Sequence, residues 1–168
     1  ESGFAVTTDI NGVCAKKKMP GGTLAAFSKK MARRVGNDIG KVPSHYGDEG
    51  EGALWQATKF LGKKVNGVHR NIILVQVYVP CPGEALYEHL KNLQGADPVS
   101  ALIEQVASFM AKQVTAGTGV VLSGDFNADF TKKSDDAKRK AYKKEWQSKV
   151  LRPFGLENVQ RKLHGREK

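Results

Sequence analysis

Two short apolar runs, Asn71-Ile72-Ile73-Leu74-Val75-Gln76-Val77-Tyr78-Val79-Pro80 and Val120-Val121-Leu122-Ser123, bracket a stretch in which Leu102, Ile103, Val106, Phe109, Met110 and Val114 recur at three- and four-residue steps. β-Branched runs bounded by turn formers read as buried strands, and the stretch between them as a helix with one core-facing stripe. Asp97-Pro98 supplies an N-cap followed by a proline at the first helical position, and Gly117 and Gly119 end the helix. Strand, helix, strand from Ile72 to Ser123 is then a crossover unit, whose two strands run parallel. Parallel neighbours finish at the same sheet edge, so Tyr78 and Asp125, far apart in the chain, are expected to emerge together.

The second run stops on Gly124-Asp125-Phe126-Asn127. Ligands collect just beyond the carboxyl ends of strands in open α/β sheets. Two apart on extended chain, Asp125 and Asn127 are expected to point to one side, toward one small volume. A carboxylate there can hold a hard cation or orient a water, and a carboxamide can donate and accept. Together they suit hydrolysis of a phosphate ester. Gly, Asp and Asn are also common turn residues, and a strand-end tyrosine can simply fill the core edge.

Charge narrows the partners. The 168 residues carry 27 Lys and Arg against 17 Asp and Glu, a net +10, which favours polyanions, nucleic acid before anionic lipid. Lys16, Lys17 and Lys18 form a basic run in a polar loop, and with Lys132 and Lys133 they are the expected contacts to a phosphate backbone. Hydrophobic residues at 40% and charged residues at 26% are ordinary for one globular domain, here the whole span 1–168. No apolar run approaches the roughly 20 residues of a membrane span. No signal-peptide pattern is present, and Cys14 and Cys81 have no metal-site or disulfide-framework spacing. A reduced, intracellular setting is the simpler expectation. The chain starts at Glu1 without a methionine and reads as an excerpt of something longer.

The remaining segments are read from local chemistry. Residues 3–8 and 21–28 are expected strands, the second entered by Gly21-Gly22, while residues 36–52 read as a glycine-rich connection. Leu54 to Phe60 reads as a strand with Lys59 outward, and a hairpin from Lys63 to His69, with Gly62 and Asn66-Gly67 turning it, leads into the Asn71 strand. A short helix is expected from Glu84 to Leu93. Another, capped by Ser134, carries Lys138, Arg139, Lys140, Lys143, Lys144 and Lys149 on its wet face, with Tyr142, Trp146 and Val150 on the buried side. Pro153 and Gly155 break it.

Gly-Gly strand, Tyr-x-Pro strand and Gly-Asp-Phe-Asn strand, in that order, resemble the endonuclease/exonuclease/phosphatase superfamily, which includes deoxyribonuclease I, repair nucleases of the exonuclease III type and retroelement endonucleases. The phrase Phe154-Gly155-Leu156-Glu157-Asn158-Val159-Gln160-Arg161-Lys162-Leu163-His164 is similar to its next segment. The resemblance implies an α/β (α+β) chain forming part of a deoxyribonuclease I-like four-layer α/β/β/α sandwich with mixed sheets, truncated at both ends. It further implies metal-dependent phosphodiester hydrolysis with magnesium or manganese, with DNA the leading substrate. Asp125 would orient or deprotonate the water, Asn127 would position water or phosphate, and Tyr78 would hydrogen-bond a phosphate oxygen. Asp125 and Asn127 are also the metal-ligand candidates. The family's metal-binding Glu is not identified, Glu1 standing too close to the Gly-Gly strand, and its Asp-His dipeptide does not occur here. Poor activity of the isolated residues is therefore expected. The alternatives are a catalytically incomplete nucleic-acid-binding remnant and a phosphatase of the same superfamily. An ATPase reading of the Val120 run lacks a preceding phosphate-binding loop motif.

Overall fold

The computed structural model describes residues 4–9, 23–28, 54–128, 130 and 136–159. Strands β1 (Phe4–Asp9) and β2 (Thr23–Ser28) pair antiparallel from Phe4↔Ser28 to Asp9↔Thr23. Strand β3 (Trp55–Phe60) is followed by a two-residue-strand hairpin, β4 (Lys64–Val65) and β5 (Val68–His69), and by β6 (Ile72–Tyr78). Asn66 and Gly67 both take positive φ, 50° and 82°, the conformation a tight hairpin turn needs and that this pair adopts at little steric cost. Helices α1 (Ala85–Gln94) and α2 (Pro98–Gln113) precede β7 (Gly119–Asp125). Helix α3 (Ala137–Trp146) runs on into one wider, π-type turn, Gln147–Leu151.

β3, β6 and β7 form one mixed sheet in that order: β3 pairs antiparallel with β6, and β6 pairs parallel with β7. The fold class is thus α+β with a mixed sheet, and the crossover expected from the spacing of the apolar runs is present, with its strands adjacent. Period-two alternation turns Ile73, Val75 and Val77 to one face, where they are buried with Trp55 and Ala57 of β3. α2 covers that face with Val99, Leu102, Ile103, Val106 and Met110, all inaccessible to solvent. Trp55 fastens the two layers: its indole donates to Gln105 Oε1 at 3.0 Å and its ring lies 5.0 Å from that of Phe109. Tyr142, Trp146 and Val150 complete the core from α3 and its π-turn, as their four-residue spacing predicts.

β3 is more buried than its loose alternation suggests. Gln56 and Thr58, which face away from α2, are also buried, and Gln56 donates to its register partner Gln76 at 2.8 Å. β2 comes against β6, whose in-plane neighbours are β3 and β7, so the second sheet meets the first across a face. Pairing the two carboxamides satisfies polar groups that would otherwise be costly inside.

The helical layer is held by one carboxylate. Asp97 caps α2 by accepting from the amides of Val99 and Ser100 at 3.0 and 2.9 Å. Its other oxygen accepts from the buried hydroxyls of Tyr87 in α1 and Tyr142 in α3, both at 2.6 Å. Lys138 closes the group, donating to the Tyr87 hydroxyl at 3.2 Å and lying 5.2 Å from the ring centre. Two boundaries differ from those the sequence predicts. Glu84 is the N-cap of α1 rather than its first residue, and Asp136, accepting from the Arg139 amide at 2.7 Å, is the cap of α3. Ser134 lies outside the described residues.

Burial acts to raise the Asp97 carboxyl, but the bonds from Tyr142, Tyr87, Ser100 and Val99 outweigh it and hold the group below its usual range. Burial first, then Asp97, pushes the Tyr142 phenol well above its own. A depressed carboxylate stabilises the fold above its unfolded value and ceases to as pH falls through the folded one. Thermal unfolding is therefore expected to ease below about pH 4, and Asp97→Asn to flatten that dependence. Asp97→Ala, which loses a cap and takes the carboxylate acceptor from two buried hydroxyls, is expected to cost about 2–4 kcal/mol by chemical denaturation.

Candidate functional site at the strand ends

The parallel register ends with Tyr78 directly beside Asp125, and the Val79 amide donates to the Asp125 carbonyl at 2.8 Å, so the two strands finish level. The close approach depends on Gly124. Its φ is 137°, and a Cβ built there would lie 1.9 Å from the Val77 carbonyl oxygen, well inside contact distance. The glycine before the aspartate is thus required by the pairing that brings Asp125 to Tyr78.

Asn127 arrives by a different route from the one expected. The chain does not stay extended through residue 127: φ there is 46°, in the left-handed region. Asp125 Oδ1 accepts from the Asn127 amide at 2.9 Å, a local turn that competes successfully with strand continuation. That turn swings the carboxamide across the strand ends, where Nδ2 donates to the Val79 carbonyl at 2.6 Å. The two side chains still share one rim. Their proximity comes from a side-chain-to-backbone turn rather than from strand alternation. Asn127 Nδ2 is thereby committed to the residue that follows β6, and its Oδ1 has no hydrogen-bond partner among the described residues. Asp125 is exposed, and its second oxygen has no hydrogen-bond partner among the described residues.

Three residues that strand periodicity does not single out join this rim. Glu84, at the N-cap of α1, makes no cap hydrogen bond with its side chain; its carboxylate accepts from the Tyr78 hydroxyl at 3.4 Å, a long contact. Cys81 is half-buried next to Glu84, Asp125 and Arg139. Arg139 of α3 lines a narrow cleft with Pro80, Phe126, Asn127 and Trp146. Phe126 packs edge-on against Trp146 at 5.2 Å and 78°, which anchors the turn to α3. The Trp146 indole N–H is buried without a hydrogen-bond partner among the described residues. Cys81 and Glu84 were within reach of the strand-end logic, since both follow Pro80 closely; Arg139 carried no such signal.

Electrostatics at the rim act on protons. Burial, then the negative charges of Glu84 and Asp125, push the Tyr78 phenol above its usual value, so it remains a donor. Burial and Glu84 raise the Cys81 thiol while Arg139 works against them, so the thiol stays protonated at neutral pH. Among the described residues no group of three His, Cys, Asp or Glu side chains could hold a metal ion. Magnesium keeps several waters and takes one or two carboxylates; Asp125 and the Oδ1 of Asn127 are two oxygen donors that do not by themselves complete a metal centre. Lys16, Lys17, Lys18, Lys132 and Lys133 lie outside the described residues.

Gly124→Ala is expected to destabilise the chain by at least about 2 kcal/mol, because the new methyl must displace β6 backbone. Asn127→Ala, which loses the bond to Val79 and leaves an alanine at positive φ, is expected to cost about 1–2 kcal/mol. Urea denaturation checks both. Comparison of the chain with protein-family models, with curated proteins and with solved structures finds no match.

Proposed function

We propose that the chain belongs to a deoxyribonuclease I-like phosphodiester hydrolase, built on a four-layer α/β/β/α sandwich and acting on nucleic acid, DNA in the first instance. The observation that carries the reading is the juxtaposition of Tyr78 and Asp125 as register partners at the parallel strand ends, with Asn127 tied across them. The resemblance implies three chemical roles, and that placement supports them. The open oxygen of Asp125 accepts a proton from water as the water oxygen bonds phosphorus; the ester P–O bond opposite breaks, and the leaving alkoxide takes a proton from solvent. The Asn127 carboxamide oxygen takes the second proton of that water in a hydrogen bond and fixes its direction. The phenol of Tyr78, kept protonated by its surroundings, donates to a non-bridging phosphate oxygen on which charge grows. Binding that phosphate requires the phenol to leave Glu84, which the long 3.4 Å contact makes easy.

Magnesium or manganese, brought by the resemblance, would neutralise charge on the phosphate when bound; Asp125 and Asn127 are the residues that would contribute to holding it, and among the described residues no group of three His, Cys, Asp or Glu side chains completes a site. The net charge of +10 favours a polyanionic substrate. A second reading, a nucleic-acid-binding relative without catalysis, is favoured by the same sparse ligand set at the rim.

Nicking of supercoiled plasmid with magnesium separates the two. Hydrolysis predicts that Asp125→Ala lowers magnesium-dependent nicking at least about 100-fold and Tyr78→Phe about 10-fold. The Tyr78→Phe deficit is expected to persist up to about pH 10 and to vanish only above it, because the raised phenol keeps its proton there. Nicking by the wild type that Asp125→Ala leaves unchanged would overturn the hydrolase and leave the binding protein.

A further inference from the structure

The ten residues of α3 hold five cations, Lys138, Arg139, Lys140, Lys143 and Lys144, and one acid, Glu145. The acid is spent on one flank: Glu145 accepts from Ser100 of α2 at 2.9 Å and from Lys149 at 2.7 Å, and Lys149 also pairs with Glu104. Lys138, on that flank too, is engaged by Tyr87. The opposite flank carries four of the five cations. Arg139 and Lys143 stand one turn apart, and Lys140 and Lys144 form the adjoining row, also one turn apart. Arg139, Lys140 and Lys144 are exposed, and no acidic side chain of the described residues forms an ion pair with them.

The ridge starts at the rim. Arg139 lines the cleft with Asn127 and lies close enough to Cys81 to oppose the rise of its thiol, so the cations lead away from the strand ends along the helix. The chemistry of the flank selects its partner. An interfacial membrane helix needs bulky apolar residues on the face it presents, but the apolar side of α3, Tyr142 and Trp146, is buried in the core. Between the lysines the outward positions hold only Ala137 and Ala141, which are exposed and too small to insert. A row of cations about 5–6 Å apart with nothing apolar between them suits a polymer that carries its charges in a row.

We propose that the flank of α3 formed by Arg139, Lys140, Lys143 and Lys144 is the track for the phosphate backbone of duplex DNA leading to Tyr78 and Asp125. The direction of the track rests on the phosphodiester reading of the rim; the binding does not, and is measured without metal or turnover. Binding of the full 168-residue chain to a fluorescent duplex in EDTA is followed over a salt series. Replacing Lys140, Lys143 and Lys144 together by Gln is expected to reduce the steepness of log K against log salt by roughly 2 to 3. The Lys140→Gln/Lys144→Gln pair, both fully solvated, is expected to reduce it by roughly 2 and serves if Lys143 proves important for folding. Lys63→Gln/Lys91→Gln/Lys112→Gln removes the same charge from exposed positions elsewhere and is expected to change the slope by less than roughly 1.

An equal effect of the two triple variants, or none from α3, overturns the track. So does a loss confined to phosphatidylserine vesicles while duplex binding is unchanged. If the α3 effect holds but Asp125→Ala leaves nicking unaltered, the track stands and the hydrolase falls. If Asp125-dependent nicking holds and the α3 effect is absent, only the track falls.

Discussion

The parallel pairing of β6 with β7 is the contact from which both the core and the rim derive. Its register sets Leu74 against Val121 and Tyr78 against Asp125, and it is possible at the last step because Gly124 has no side chain to strike the Val77 carbonyl. A one-residue slip would turn every β6 side chain to the opposite face, exposing Ile73, Val75 and Val77 and parting the phenol from the carboxylate. The burial of those three residues under α2 therefore specifies the geometry of the strand ends. Burying apolar area and placing a polar rim are here the same event.

The helices are tied to that sheet through a polar hub. Asp97 joins the start of α2 to α1 and α3 through two tyrosine hydroxyls, and Trp146, buried beside Phe126, seats α3 against the turn that follows β7. Buried hydroxyls converging on one ionised oxygen are strongly bonded only if all members are in place. The position of Arg139 at the cleft is thus inherited from Tyr142 and Trp146, its neighbours on the helix, which the core holds. A side chain at the rim owes its place to contacts on the other side of the same element.

Charge is distributed unevenly around the strand ends. Glu84 and Asp125 make the rim locally acidic, and burial together with those charges keeps the Tyr78 phenol protonated, whereas α3 raises a run of cations from Arg139 outward. On the function proposed above, a phosphodiester polymer would meet both: the helix would draw its backbone, and the rim would present a donor and a proton acceptor rather than more positive charge. The long Tyr78–Glu84 contact gives the phenol a place in the free protein that an incoming acceptor can displace.

The crossover unit is legible in the order of residues alone. Apolar alternation over Ile72–Val77, the helical recurrence from Leu102 to Met110, and the Asp97-Pro98 start each carry their own local physics, and together they require parallel strands and a shared edge for Tyr78 and Asp125. The four-residue spacing of Tyr142, Trp146 and Val150 is equally plain. Other features depend on partners far along the chain. Strand alternation places Asn127 beside Asp125, but the turn between them and the bond to Val79 form only once β6 supplies its carbonyl. Nothing local shows that Glu84 leaves its helix cap for Tyr78, that Gln56 is buried against Gln76, or that Arg139 faces the cleft while Lys140 faces water. Periodicity determined which residues turn inward, because it follows from backbone geometry alone; the tertiary structure decided which polar groups meet, because their energies depend on burial and on partners brought together by packing.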